Sequence, residues 1–232
     1  AFVVMLIGAA LTRYAGYEGM MMIREGETSN QMISSTPYMQ VNVIKDGKSY
    51  YFYKEHLFNN YRKNKFSEAF PLEGETVSLD LINSTPAQDG AFTLALNIAY
   101  RGENKNVSIR GGAGMLSPAA DAKIGGALFS LSYGARIIEL PFSLKLRDFE
   151  LERYPGSMSP SSFASEVTVI DPSSNLEMPY RIYMNNILNY GGYRFFQSSY
   201  DKDEKGTILS VNRDKWGTMV TYIGYFILTA GL

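Results

Sequence analysis

Both ends of the chain are runs with no charged side chain, "AFVVMLIGAALT" at residues 1–12 and "WGTMVTYIGYFILTAGL" at residues 216–232. Such runs restrict the fold because an apolar helix must be covered by protein or by lipid. As a helix the closing run covers about 25 Å of a hydrocarbon layer roughly 30 Å thick. A secretory signal does not fit the first run, which has neither a basic leading region nor a small-residue cleavage pattern. Burial in a protein core is the competing reading, but Trp216, Tyr222 and Tyr225 fit an interfacial aromatic belt. The runs are therefore read as partial transmembrane helices, residues 1–16 ending one span and 216–232 beginning the next. Residues 17–215 then form one loop domain whose two ends leave the same membrane face. Its sidedness is not set by charge, because long loops cross regardless of it.

The totals exclude several chemistries. There are 22 basic and 23 acidic residues, a net charge of −1, so no global field favours nucleic acid. The chain has no cysteine, which removes disulfides, thiolate metal sites and a cysteine nucleophile. Its one histidine, His56, excludes a two-histidine metal site within the chain and reads as a surface or capping residue.

Between the ends the pattern is strand after strand. "YMQVNVIKDGKSYYFY" places Asp-Gly between two β-rich runs, a hairpin signature because that turn needs positive φ at both central residues. Further strands are expected at "ETVSLDLIN", "AFTLALNIAY", "KNVSIR", "ALFSLSYG", "ARIIEL", "FSLKLRDFELERY", "SSFASEVTVID", "PYRIYMN", "GYRFFQSSYD" and "GTILSVNRD", and a short helix at "KEHLFNNYRK". The fold class expected is mainly β, an antiparallel sandwich or open barrel. One strand breaks phase: Phe142, Leu144 and Leu146 alternate, but the next apolar positions are Phe149 and Leu151. A bulge or bend near Arg147 and Asp148 resolves the slip.

No motif for chemistry survives inspection. "RGGAGMLSP" lacks the ending of a phosphate loop and reads as a mobile connection. "DKDEKGTILSVN" starts like a calcium loop, but Lys205 and Asn212 occupy ligand positions, and a charged hairpin turn fits better. The sequons at Asn83 and Asn106 carry no information without a secretory context. No hydrolase triad can be built. Glu150 and Glu152 share a strand face, and pairing with Arg147 and Arg153 accounts for them.

The segment "RIYMNNILNYGGYRFFQSSYD", 181–201, is the candidate contact surface. Extended, it sends Tyr193, Phe195, Gln197 and Ser199 to one face and Arg194, Phe196, Ser198 and Tyr200 to the other. The "NYGGY" turn would fold "PYRIYMNN" back onto it as a hairpin, with Asn185 and Asn186 bonding loop backbone. Arg181, Tyr183, Asn185, Asn186, Tyr193, Arg194, Phe196 and Tyr200 are the partner-contact candidates. A purely structural hairpin explains the same composition.

Three stretches, "GYEGMMMIREGE" at 16–27, "RDFELERYPGSMSPSSFASEVTVID" at 147–171 and "RIYMNNILNYGGYRFFQSSYDKDEKGTILSVNRD" at 181–214, resemble the ResB family, also called CcsB, of cytochrome c biogenesis. Residues 30–125 carry no matching motif. The resemblance implies a component of the system II pathway in the cytoplasmic membrane, with its large domain on the extracytoplasmic side. It implies haem as the cofactor of the full complex, with no ligand assigned in this sequence. The implied partners are a CcsA or ResC type membrane subunit, apocytochrome c and a thioredoxin-like thiol reductant. The chain's role would be accessory, in haem export and attachment, without catalytic residues of its own. The alternative from the residues alone is a membrane-tethered β-sandwich that binds a small ligand or glycan, and a third is a pure scaffold.

Overall fold

The computed structural model describes residues 1–231. Its elements in order are α1 (Phe2–Ala15), β1 (Tyr17–Arg24), β2 (Thr28–Ser34), β3 (Tyr38–Lys45), β4 (Lys48–Glu55), β5 (Ser67–Leu72), β6 (Glu75–Pro86), β7 (Phe92–Tyr100), β8 (Glu103–Gly111), β9 (Ala120–Ile124), β10 (Ala127–Gly134), β11 (Ile137–Arg153), β12 (Pro160–Asp171), β13 (Leu176–Tyr183), β14 (Leu188–Tyr190), β15 (Tyr193–Tyr200), β16 (Gly206–Arg213) and α2 (Lys215–Ala230). The protein is mainly β and its sheets are antiparallel, as the strand pattern requires. The chain divides into two compact units, residues 1–34 with 137 onward, and residues 35–136.

The first unit is one eight-stranded sheet in the order β13-β12-β11-β2-β1-β16-β15-β14. Its alternating inward residues, among them Met21, Ile23, Leu144, Leu146, Val167, Val169, Phe195, Leu209 and Val211, form one core. Burying each such side chain contributes about 1.5–3 kcal/mol. The sheet coils until β13 at one edge packs against β14 and β15 at the other, a nearly closed barrel. A ring of polar groups spans its interior. Ser165 on β12 donates to Gln197 Oε1 on β15 at 2.6 Å, and Gln197 Nε2 donates to Thr207 Oγ1 on β16 at 2.8 Å. The Ser165 and Thr207 hydroxyls, also 2.8 Å apart, close the ring. Each buried polar group is thereby satisfied by another.

The phase slip in β11 is a bulge where the sequence places it. Leu146 pairs with Val167 and Asp148 with Glu166, leaving Arg147 as the extra residue, so Phe149 returns to the core. The two runs "ARIIEL" and "FSLKLRDFELERY" are one continuous strand.

The second unit is made of two four-stranded sheets, β4-β3-β10-β9 and β5-β6-β7-β8, around a shared core that includes Val41, Val43, Leu94, Leu96, Phe129 and Leu131. Four of its hairpins turn on Asp46-Gly47, Glu73-Gly74, Arg101-Gly102 and Gly125-Gly126, all at positive φ, the geometry whose twist matches paired strands. The helix expected at "KEHLFNNYRK" is not formed. Asparagine side chains there capture backbone instead: Asn64 Oδ1 accepts from Asn59 N at 2.7 Å, Asn64 Nδ2 donates to Asn59 O at 3.0 Å, and Asn59 Oδ1 accepts from Tyr61 N at 2.7 Å. Phe58 meanwhile inserts among Phe92 and Tyr133. "RGGAGMLSP" is a packed connection in which Ala135 N–H donates to Met115 O at 2.7 Å.

The two apolar ends are helices, α1 and α2, although no helix among the described residues is long and apolar enough to cross a membrane. They pack antiparallel on small residues: a Cβ at Gly8 would lie 2.3 Å from Thr221 Oγ1, one at Gly217 2.2 Å from Thr12 Oγ1, and one at Gly224 2.5 Å from Met5 Cγ. Close backbone approach of this kind is the mode by which helices associate where no hydrophobic drive separates them from lipid.

The bulge gives a test. Deleting Arg147 would turn either Leu146 and its predecessors or Phe149 and Leu151 outward, and it should abolish cooperative unfolding in urea. Arg147→Ala loses only a surface ion pair with Glu166 and should cost less than about 1 kcal/mol.

Candidate functional site

The three family-like stretches all lie in the first unit, and two of them meet at the end of the barrel that joins the helices. β1 and β16 pair along their whole length, from Tyr17 opposite Arg213 to Arg24 opposite Gly206. Tyr17 therefore faces Arg213 where the strands enter α1 and α2. The Arg213 guanidinium donates to Tyr17 Oη at 3.0 Å and lies over the rings of Tyr17 and Tyr193, 5.5 and 5.2 Å from their centroids. The Tyr17 and Tyr193 hydroxyls are 2.9 Å apart. Together the three side chains plug the barrel end with cation–π and hydrogen-bond contacts. Burial first, and the Tyr17 hydroxyl second, push the Tyr193 phenol up to about 12.

Around this plug the turn between β14 and β15 is fixed by Gly191 and Gly192, at φ of 59° and 83°. A Cβ on Gly191 would stand 2.9 Å from Phe142 Cε1, so the turn rests on that ring. Phe142 in turn sits edge-on to Tyr190 and Tyr193 at 4.9 and 5.7 Å. Tyr190 donates to Asp171 Oδ2 at 2.7 Å, and Ser173 N and Oγ bond Asp171 Oδ1. Hydrogen bonds from Ser173 and then Tyr190 hold the Asp171 carboxyl well below the usual carboxylate range.

Beside the Gly-Gly turn is a recess of about 300 Å³ reaching to the first turn of α2, where Arg194, Asp214, Thr218 and Met219 line it. Asp214 caps α2 by accepting from Gly217 N at 3.1 Å, and it accepts from Thr12 on α1 at 2.7 Å. The arrangement offers rigid hydroxyls and charges in fixed places.

The contact candidates are split by the fold. β13 does not double back onto β15 as a hairpin: the partner of β15 across the Gly-Gly turn is the short β14, and β13 lies at the far edge of the sheet. Arg181, Tyr183, Arg194 and Phe196 point outward from the two strands that flank the closing seam. Arg181 is braced by Glu150 at 2.6 Å and Glu166 at 3.4 Å, so the partner of Glu150 is Arg181 and not Arg147 or Arg153. Arg153 pairs with Glu204. Asn185, at φ 70°, turns the chain, and Asn186 Nδ2 donates to Arg181 O at 2.6 Å. Tyr193 is a core residue, 5% exposed. Tyr200 is also drawn inward, against Phe149 and Phe163, because β15 carries a bulge between Gln197 and Ser199 that shifts the alternation by one. The turn 201–205 is the expected charged hairpin turn, tied to β1 by Arg24 through Asp201 and Asp203. Sequence reasoning missed Tyr17 and Arg213, although Tyr17 is the second residue of one quoted stretch and Arg213 the next to last of another.

The structure thus defines a class: an antiparallel β body whose closing strands run directly into a tight pair of apolar helices. The description of the ResB-like family matches residues 97–227 of the chain. Protein NrfI of Wolinella succinogenes is 40% identical over 238 residues, which take in 100% of this chain but only 26% of that relative. The chain belongs to the ResB-like family.

Titration tests the plug. A folded-state phenol raised above its unfolded value of about 10 stabilises the fold below that pH and loses the contribution as pH rises through about 12. Ultraviolet titration should show one tyrosine ionising near pH 12. In Tyr17→Phe it should ionise earlier, yet still above 10, since burial is the larger cause. The variant should also unfold at lower urea, by about 1–3 kcal/mol for the partners left unsatisfied.

Proposed function

We propose that the protein serves cytochrome c maturation as a docking and positioning component, held to the cytoplasmic membrane by α1 and α2 with its β body on the extracytoplasmic side. Membership of the ResB-like family is the observation that carries this reading. The helices support the membrane attachment: outside their mutual contact they expose Phe2, Val3, Leu6, Tyr222 and Phe226, a larger apolar surface than a water-facing helix pair carries. The Asp214 cap and the Thr12 contact fix where the helices leave the barrel, so the body is held at a set attitude to whatever surrounds them.

Joining haem to a pair of thiols is a problem of bringing two partners together in the right orientation, and positioning contributes a large share of such rates. The outer faces of β13 and β15 supply an aromatic and basic surface for that purpose, through Arg181, Tyr183, Arg194 and Phe196. The docked partner is apocytochrome c, a thioredoxin-like reductant or a CcsA/ResC-type membrane subunit. A surface without cysteine holds a thiol-bearing client without forming a mixed disulfide with it.

Family membership makes haem plausible in the full complex, and no residue of this chain is assigned to it as a ligand. His56 lies in the second unit, wedged 4.6 Å from the ring of Phe58 and 5.0 Å from that of Phe66, and burial lowers its pKa.

The test uses the full-length protein in its own membrane. Replacing Arg181, Tyr183 and Phe196 together by alanine should lower holocytochrome yield several-fold while the membrane complex keeps its normal abundance. Full yield at normal abundance removes this face from the mechanism, and loss of the complex itself assigns it to structure.

A further inference from the structure

The recess between the Gly191–Gly192 turn and α2 carries two opposite charges that do not meet. Arg194 lines it, and among the described residues its guanidinium makes no ion pair and no side-chain hydrogen bond. Asp214 lines it too, and cannot swing toward Arg194 because Gly217 N, Thr12 Oγ1 and Thr218 Oγ1 hold its carboxylate at 3.1, 2.7 and 3.3 Å. Those three donors carry no formal charge, and the N-terminus of α2 supplies only a partial positive one. At about 300 Å³ the recess that both residues line admits a small polar group.

An apolar track leads away from the same recess. Met219 is part of its lining, and Tyr222, Ile223 and Phe226 follow on the same face of α2 at helical spacing. All four are well exposed, Tyr222 by 67% and Phe226 by 73%. A recess with one cation and one anion in its lining, continued by an apolar stripe, is complementary to an amphiphile with a zwitterionic head.

We propose that this recess is a binding site for an aminophospholipid of the phosphatidylethanolamine type. Its phosphate sits on Arg194, its primary ammonium on Asp214, and an acyl chain lies along Met219, Tyr222 and Phe226. Guanidinium and phosphate match in fork geometry. The ammonium supplies N–H donors to the carboxylate, which the trimethylammonium of phosphatidylcholine cannot do. An anionic headgroup such as that of phosphatidylglycerol satisfies Arg194 but meets the Asp214 charge as a repulsion. The assignment rests on the reading of α1 and α2 as membrane-embedded, which puts the recess at headgroup depth. Bound there, the lipid would wedge the Gly-Gly turn against α2 and stiffen the junction of body and helices.

The experiment is native mass spectrometry of the delipidated full-length protein, titrated in detergent with phosphatidylethanolamine, phosphatidylglycerol or phosphatidylcholine. The natural protein should retain phosphatidylethanolamine about tenfold better than the other two, the worth of one charge-assisted hydrogen bond. Arg194→Ala should lose that retention, with Arg62→Ala as an unaffected control. Asp214→Asn, which still caps the helix, should bind phosphatidylethanolamine and phosphatidylglycerol alike. Glycerophosphoethanolamine, which has no acyl chains, should compete only weakly. Equal retention of all three lipids by the natural protein, or undiminished retention by Arg194→Ala, means annular lipid only and overturns the site. Strong competition by the chain-free headgroup overturns the acyl track. If Arg194→Ala fails to fold, the ranking of the three lipids on the natural protein decides alone. Failure of the membrane reading is seen separately, as a full-length protein that stays in solution without detergent.

Discussion

Every other feature of the first unit depends on the ladder between β1 and β16. It joins residues about as far apart as the chain allows, Tyr17 with Arg213 and Arg24 with Gly206. Because α1 runs straight into β1 and α2 straight out of β16, the same ladder sets the helices side by side with their small residues in contact. It also lets the sheet curl toward closure, since β16 brings β15 and β14 around toward β13. Contacts of such long sequence separation form late and slowly, because loop closure must precede them. The second unit is spliced into this frame between β2 and β11 and has a core of its own, so it can assemble from local hairpins meanwhile.

The two ends of the barrel are finished in different ways. At the helix end the stabilising groups are aromatic: Tyr17, Tyr193, Tyr190 and Phe142 pack edge to face, with Arg213 over two of the rings. Toward the other end the interior holds the hydrogen-bonded ring of Ser165, Gln197 and Thr207, and the rim carries ion pairs of Arg24 and Arg153 with the 201–205 turn. Surface pairs of this kind add little stability individually. The polar ring can form only when three strands are in register, so it selects one closure of the sheet over slipped alternatives. A body closed in this manner presents its outer face rigidly.

How much of this was legible in the sequence depends on whether apolar residues marked the feature. The bulge at Arg147 could be read directly, because Leu146 and Phe149 on either side of it are both large and apolar and betray the change of phase. The bulge in β15 could not, because it falls between Gln197 and Ser199, where polar residues fit either face. Tyr200 was accordingly assigned to the wrong side. The 54–63 segment is illegible for a related reason: its spacing suits a helix, but Asn59 and Asn64 bond the backbone in a loop while Phe58 drops into the core.

The sequence by itself determined most of the strands (though not β1, β2, β5, β9 or β14), the Asp46-Gly47 turn, the apolar character of both ends and the family. All of these are properties of neighbouring residues, fixed by backbone sterics and local alternation. Only the tertiary structure decided which strand lies beside which, and with it the meeting of Tyr17, Tyr193 and Arg213, the burial of Tyr193, the separation of β13 from its expected partner and the recess between Arg194 and Asp214. The backbone groups along a strand edge are the same for every sequence. Partner choice is therefore left to side-chain packing across the whole sheet, which no single stretch of chain contains.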